Sequence, residues 1–257
     1  MKGTTIIMKK GIKLKNPILI VGLPGIGNVG RIVAEHIKKE FKAEKIATLY
    51  SPHFPYQVAM TKNGGIKMIN NKFYLIKPKG AGTEIILLTG DFQALPEGQY
   101  ELNEKIVRFF MNELNGKFIY TIGGYLSNEK LGDSPRVFGN ATNLKTVDKF
   151  KKTKVIFGKT KGYILGSAGL IIGFAKLYGL EGICIMGETS IVGFDALAAK
   201  AVLEALSEIL HIKINTEGLD KIAKETNLAL EEAERQMAIG GLPGEIMPDT
   251  SKPSYIR

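Results

Sequence analysis

The segment Gly22-Leu-Pro-Gly-Ile-Gly-Asn-Val-Gly30 constrains this chain more than any other. It follows Asn16-Pro17 and the apolar run Ile18-Leu-Ile-Val21, which has the length and branching of a buried strand. Beyond it, Val29, Ile32, Val33, His36 and Ile37 recur at helical spacing. A buried strand that turns through glycines straight into a helix is the opening unit of an α/β domain with a parallel sheet.

The turn itself reads in two ways. Gly25, Gly27 and Gly30 satisfy G-x-G-x-x-G in the strand-to-helix context of a dinucleotide fingerprint. Two features count against that chemistry. The acid expected at the end of the second strand to bind a ribose is replaced by Tyr50, Ser51, Pro52 and His53, and Pro24 removes a backbone N–H that would face a phosphate. No Gly-Lys-Ser/Thr follows, so the turn is not a P-loop. What stands is a structural turn that lets a helix pack closely on the sheet. Beside it stands a ligand-site candidate at the helix N-terminus made of Gly22, Pro24, Gly25, Gly27, Asn28 and Gly30.

Further along, strands are expected at 45–50, 58–60, 66–69, 73–76, 84–90, 117–122 (ending at Gly123-Gly124), 155–157 and 182–187. Helices are expected at 100–114, 166–178, 195–210 (with Asp195 as N-cap) and 216–237. The stretch 125–154 reads as irregular and polar. Residues 242–257 contain Pro243, Pro248 and Pro253 and are expected to form no regular element. The alternation of strands and helices predicts a three-layer α/β/α sandwich over 1–212. Its sheet would be largely parallel, made mixed by a hairpin insertion at 56–77. A C-terminal helix and irregular tail would fill 213–257.

Composition narrows the classes of function. With 257 residues and 44% hydrophobic content the chain can bury a sizeable core. One cysteine, Cys184 in Gly182-Ile-Cys-Ile-Met186, excludes a disulfide framework within the chain and reads as a core residue. The net charge of +10 is scattered, densest at Lys149, Lys151, Lys152, Lys154, Lys159 and Lys161. No aromatic ladder interleaves with these lysines, so nucleic acid is not an expected partner. The most apolar run, 163–174, holds three glycines and falls short of the roughly 20 residues of a spanning helix. No secretory signal is visible, and a cytoplasmic protein without a membrane association is expected.

A catalytic set does not assemble from spacing. The histidines are His36, on the apolar face of the first helix, His211, at a helix end, and His53, on a loop at a strand end. No zinc-ligand spacing and no G-x-S-x-G elbow is present, and no metal or cofactor is expected. The best case for an enzyme is a strand-end cleft of Asn28, Asp91 and Glu188, which would suit a nucleoside or nucleotide. That reading is the alternative: a nucleotide- or nucleoside-binding enzyme or sensor.

Four pieces taken together carry a resemblance. They are Pro17-Ile-Leu-Ile-Val-Gly-Leu-Pro-Gly-Ile-Gly-Asn-Val-Gly30, Leu88-Thr-Gly-Asp-Phe-Gln93, Ile122-Gly-Gly-Tyr125 and Gly187-Glu-Thr-Ser190. With them the chain resembles the archaeal proteasome assembly chaperone family over roughly 16–234. The resemblance implies a fold similar to purine nucleoside phosphorylases without their chemistry. It also implies an ATP-independent, non-enzymatic scaffold that forms homo-oligomers, pentamers among them. Such a scaffold helps to build the proteasome α-ring, sits on it, or pairs with a paralogous chaperone. Related members end in a hydrophobic-Tyr-any tripeptide that docks between α-subunits. This chain departs from that pattern, because Tyr255 stands third from the end in Ser254-Tyr-Ile-Arg257. The partner-binding residues expected on the tail are Ile246, Met247, Tyr255, Ile256 and Arg257.

Overall fold

The computed structural model describes residues 1–78, 82–127, 134–190 and 193–219. In chain order its elements begin β1 (Thr5–Met8), β2 (Ile18–Gly22), α1 (Val29–Glu40), β3 (Glu44–Tyr50), β4 (Val58–Met60) and β5 (Ile66–Met68). There follow β6 (Asn71–Ile76), β7 (Ile85–Gly90), α2 (Gln99–Asn112), β8 (Phe118–Leu126), β9 (Val137–Ala141) and α3 (Leu144–Phe150). The last are β10 (Val155–Phe157), α4 (Ser167–Leu177), β11 (Glu181–Thr189) and α5 (Ala196–Leu210).

Nine strands form one sheet in the order β1-β3-β6-β7-β2-β8-β11-β9-β10, and β4 with β5 forms a separate two-stranded ribbon. The four central strands, β7, β2, β8 and β11, are parallel. They are also the continuous apolar runs of the sequence, as strands buried on both faces must be. Antiparallel pairings flank them: β6 on β7, β3 on β6 and β1 on β3 on one side, β9 on β11 on the other.

Side chains alternate between the two faces. Ile20, Leu87 and Ile185 enter a core closed by α1 and α5, while Leu19, Val21, Leu88 and Cys184 enter one closed by α2 and α4. The result is the expected three-layer sandwich with a mixed, largely parallel sheet. Asp195 caps α5 as its position predicts, its carboxylate accepting from Ala198 N at 2.9 Å.

Several expectations are corrected. Residues 125–154 are not irregular throughout: they hold β9 and α3, the latter capped by Asn143, whose side chain accepts from Thr146 N at 2.8 Å. β8 does not stop at Gly123-Gly124 but runs through them to Leu126. β1, where no element is expected, pairs with β3. The insertion at 56–77 contributes one strand, β6, to the main sheet and keeps the other two as the ribbon. Glu217 to Leu219 are helical; the rest of the helix expected at 216–237, and the tail, lie outside the described residues.

Candidate functional site

The glycine turn sits at the C-terminal edge of the central strands, between β2 and α1. Gly27 (φ 61°) and Asn28 (φ 49°) adopt left-handed backbone inside a short 3₁₀ turn. The other glycines answer a packing demand. A Cβ on Gly22 would lie 2.2 Å from the carbonyl oxygen of Gly30 and 2.7 Å from the Ala34 methyl, and one on Gly30 would lie 2.6 Å from the Ile122 carbonyl. α1 therefore rests directly on the backbones of β2 and β8.

The polar groups of the turn are engaged by the protein. Asn28 Nδ2 donates to Gly193 O at 2.8 Å, and Asp195 N donates to Gly27 O at 2.8 Å. The turn is thereby tied to the loop that leads into α5. On its other side Gln93 Nε2 donates to Pro24 O at 2.5 Å, and Gln93 Oε1 accepts from Ser167 N at 2.8 Å. One amide thus joins the turn to the first residue of α4.

Beside Gln93 opens a cleft of about 330 Å³, lined among others by Gly25, Ile26, Gly124, Tyr125, Ile164 and Met186. Among the described residues that line it, none carries a charged side chain. Its rim includes Tyr163 and Leu165, both largely exposed. Such a cleft offers apolar surface and an amide, and lacks the cations that would neutralise a phosphate.

The structure does not bring Asn28, Asp91 and Glu188 together. Asp91 follows β7 and Glu188 lies near the end of β11; β2 and β8 stand between, so three strand spacings, about 14 Å, separate them. Each is bound elsewhere. Asp91 Oδ2 meets Lys67 Nζ at 2.9 Å and accepts from Asn70 N at 3.2 Å. Glu188, almost wholly buried, accepts from Arg136 Nε at 2.8 Å and from Arg136 N at 3.2 Å. The Arg136 guanidinium holds its carboxyl below the usual carboxylate range.

The remaining candidates are placed as follows. His36 Nε2 donates to Asn215 O at 2.6 Å. It lines a second hollow, of about 390 Å³, in which Arg31, Glu35, Lys39 and Glu217 supply charges of both signs. His53 Nε2 lies 3.8 Å from Glu101 Oε2, and His211 terminates α5 in left-handed conformation. Cys184 is fully buried, and burial pushes its thiol up to about 11, which removes it as a nucleophile. Among the described residues no helix is long and apolar enough to cross a membrane. Ile246, Met247, Tyr255, Ile256 and Arg257 lie outside the described residues.

Sequence reasoning placed Gln93 on the strand-end edge only as part of Asp91-Phe-Gln93 and gave it no role of its own. It stood at the end of the Leu88-Thr-Gly-Asp-Phe-Gln93 motif, but the carboxylate two positions before it drew the attention. The signal was the long amide side chain just past a strand end, which reaches where Asp91 cannot.

The chain is similar to known proteins. The PAC2 family model matches residues 19–234. PbaB of Pyrococcus furiosus, described as an archaeal proteasome activator, is 39% identical with a TM-score of 0.84, over 91% of this chain and 100% of that one. PbaA of the same organism, described as an archaeal homolog of proteasome-assembly chaperone, shares the fold at 24% identity, TM-score 0.76, over 93% and 94% of the two chains. An uncharacterized protein of Methanocaldococcus jannaschii is 42% identical over 224 residues, 86% of this chain and 84% of that protein. The glycine turn, α1 and the Asp195 cap of α5 fall within the matched span, and the chain belongs to the PAC2 family.

Proposed function

We propose that this chain is a chaperone-like, non-enzymatic scaffold or adaptor of the proteasome that works without ATP in the cytoplasm. It self-associates, with a pentamer as the form its family resemblance implies, and it binds proteasome α-subunits or a paralogous partner. The observation that carries the reading is the family match across 19–234, joined to the likeness over 91% of the chain with a protein described as a proteasome activator. The site geometry supports it. The carboxylates that a nucleotide enzyme would use are held in ion pairs, and the cleft beside the turn is uncharged.

The likeness to PbaB is greater than that to PbaA, which favours a second form of the reading: engagement with the assembled particle, rather than with its precursors. The contact residues in either form are Ile246, Met247, Tyr255, Ile256 and Arg257. The test is copurification of the tagged full chain, and of a chain lacking 242–257, with α-subunits and with assembled proteasomes at near-physiological salt. The full chain is expected to recover one of them and the shortened chain to lose it. Recovery of neither by the full chain overturns the proposal.

A further inference from the structure

Among the described residues five glycines line the uncharged cleft beside Gln93, and three of them answer to the fold. A Cβ on Gly30 would lie 2.6 Å from the Ile122 carbonyl oxygen, one on Gly124 would lie 2.3 Å from that of Ile26, and Gly166 holds a φ of 72°. Gly25 and Gly123 have no such reason to be glycine. The φ of Gly25 is −174°, extended backbone that any residue adopts, and Gly123 lies outside the left-handed region. A Cβ on Gly25 would come no closer than 3.5 Å, to Gln93 Nε2, and one on Gly123 no closer than 3.6 Å, to the Ala168 Cβ. These are ordinary van der Waals distances. Gln93 and Ala168 both line the cleft, so the missing side chains would project into it. A glycine inside a strand such as β8 weakens it, and marks a place where a ligand or another backbone comes close.

A buried hydroxyl points to the same space. Ser167, the first residue of α4, is 0% exposed and lines the cleft, and its Oγ has no hydrogen-bond partner among the described residues. Its backbone N–H is engaged by Gln93 Oε1, so the hydroxyl is the group left over. A buried hydroxyl without a partner carries a desolvation cost that a ligand's acceptor removes. The position in the sheet agrees. From β2 the chain passes through α1 to strands on one side, and from β8 it runs on to β9, β10 and β11 on the other. The cleft opens at the carboxyl ends of this neighbouring pair, where the winding reverses and open α/β sheets hold their ligands.

We propose that this cleft binds a small uncharged ring compound with one hydrogen-bond acceptor, which Ser167 Oγ receives. Each part of that description comes from the walls. The volume, about 330 Å³, is at the lower end of small-molecule sites. The bare backbone at Gly25 and Gly123 gives a ring face room to approach, and Met186 adds a polarizable contact. Among the described residues no charged side chain lines the cleft, so an ion would lose its water without gaining a partner. The hydroxyl donates from the first turn of α4, whose positive end favours an acceptor oxygen or ring nitrogen. Ser167 is buried, so the acceptor has to travel to it at depth, as a separate small molecule does and a peptide carbonyl at the mouth does not.

The test is titration of the full-length protein, followed by nuclear magnetic resonance, with three probes. These are benzamide, benzoate as its charged counterpart of the same shape, and N-acetylphenylalaninamide as a ring on a peptide backbone. Benzamide is expected to bind saturably with about millimolar affinity, as suits so small a probe. The other two are expected to bind at least about 10-fold more weakly. Gly25→Ala with Gly123→Ala is expected to weaken benzamide about 10-fold or more, while the melting temperature stays at the wild-type value or rises. Gly173→Ala, an exposed position of α4 that does not line the cleft, is expected to leave binding unchanged. Ser167→Ala is expected to weaken benzamide about 5-fold, with no fall in melting temperature, because the hydroxyl it removes has no partner in the fold. No saturable binding of benzamide to the wild type overturns the proposal, and so does binding that the double alanine variant leaves intact. A lower melting temperature in that variant overturns it too, since the two glycines would then serve packing. Tighter binding of benzoate would make the cleft an anion site, and tighter binding of N-acetylphenylalaninamide a peptide site; either result overturns the uncharged small molecule.

Discussion

The guanidinium of Arg136 closes on the carboxylate of Glu188 through Nε at 2.8 Å and Nη2 on the second oxygen, while Arg136 N adds a third donor at 3.2 Å. Glu188 is 3% exposed, so its charge is acceptable only because this pairing is complete.

Arg136→Ala therefore leaves a buried carboxylate without its cation and is expected to cost about 2–3 kcal/mol at pH 7, discounted from a fully buried pair because Arg136 is half exposed. The pH dependence gives the sign. In the wild type the folded-state pKa of Glu188 lies below its unfolded value of about 4.3, so its contribution is complete above that value and fades as pH falls through the folded pKa. In the variant the backbone N–H of residue 136 and the Ser127 side chain still donate, but the charged partner is gone, so the folded value rises from its wild-type position and part of the penalty is relieved on acidification. The stability gap between the two proteins, measured by urea unfolding between pH 7 and pH 4, is expected to narrow as pH falls. A gap that stays constant would show that the ion pair is not what holds Glu188.

Gly22→Ala is expected to cost about 3 kcal/mol or more, because its methyl meets backbone at 2.2 Å and the helix must lift from the sheet. Gly27→Ala meets only side-chain atoms, at 3.2 Å, and bears mainly the left-handed backbone, about 1–2 kcal/mol. Chemical denaturation of the two variants checks the order. Equal costs would mean that turn conformation, not helix–sheet approach, selects glycine here.

Asp195 accepts from Ala198 N at 2.9 Å and from Thr189 Oγ1 at 2.6 Å, so it caps α5 and ties that cap to the end of β11. Asp195→Ala is expected to cost about 2 kcal/mol, and Asp195→Asn under about 1 kcal/mol, since the amide oxygen still caps the helix. Thermal unfolding of the pair is the measurement, and similar losses in both would point to the carboxylate charge instead of the cap.

Asp91→Ala frees Lys67 and removes an acceptor from Asn70 N. The ribbon alone is marginal, so its amides are expected to exchange at least 10-fold faster while those of the central strands stay protected. Hydrogen exchange resolved by peptide distinguishes this from a ligand role. Were Asp91 a nucleotide contact, millimolar nucleoside would raise the wild-type melting temperature, and the substitution would remove the increase.

How far the sequence could be read depended on which physical signal each element leaves. The central strands and α1, α2 and α5 were legible because burial on two faces, or along one stripe, writes itself as runs and periods. β1 was not, since four residues alternating at a sheet edge look like coil. α3 is seven residues among lysines, too short for a period to emerge. Gly123-Gly124 read as a stop, but Gly124 is there because Ile26 O would lie 2.3 Å from its Cβ, a contact made by the turn itself. For the site, the sequence suggested one cleft of Asn28, Asp91 and Glu188, which the strand order does not assemble. It could not give their partners, Gly193, Lys67 and Arg136, because no local spacing encodes a contact between residues 165, 24 or 52 positions apart.

The strand order has a consequence for how the chain is made. On one side of β2 lie only strands from residues 5–90, and on the other only strands from 118–189. As the polypeptide leaves the ribosome, the first half of the sheet can be complete while the edge of β2 that will receive β8 is still bare. The glycine turn stands over that edge, with Gly30 against Ile122 and Gly124 against Ile26. It is the clasp that shuts when the later half arrives, and a side chain added there would hold the two halves of the nascent protein apart.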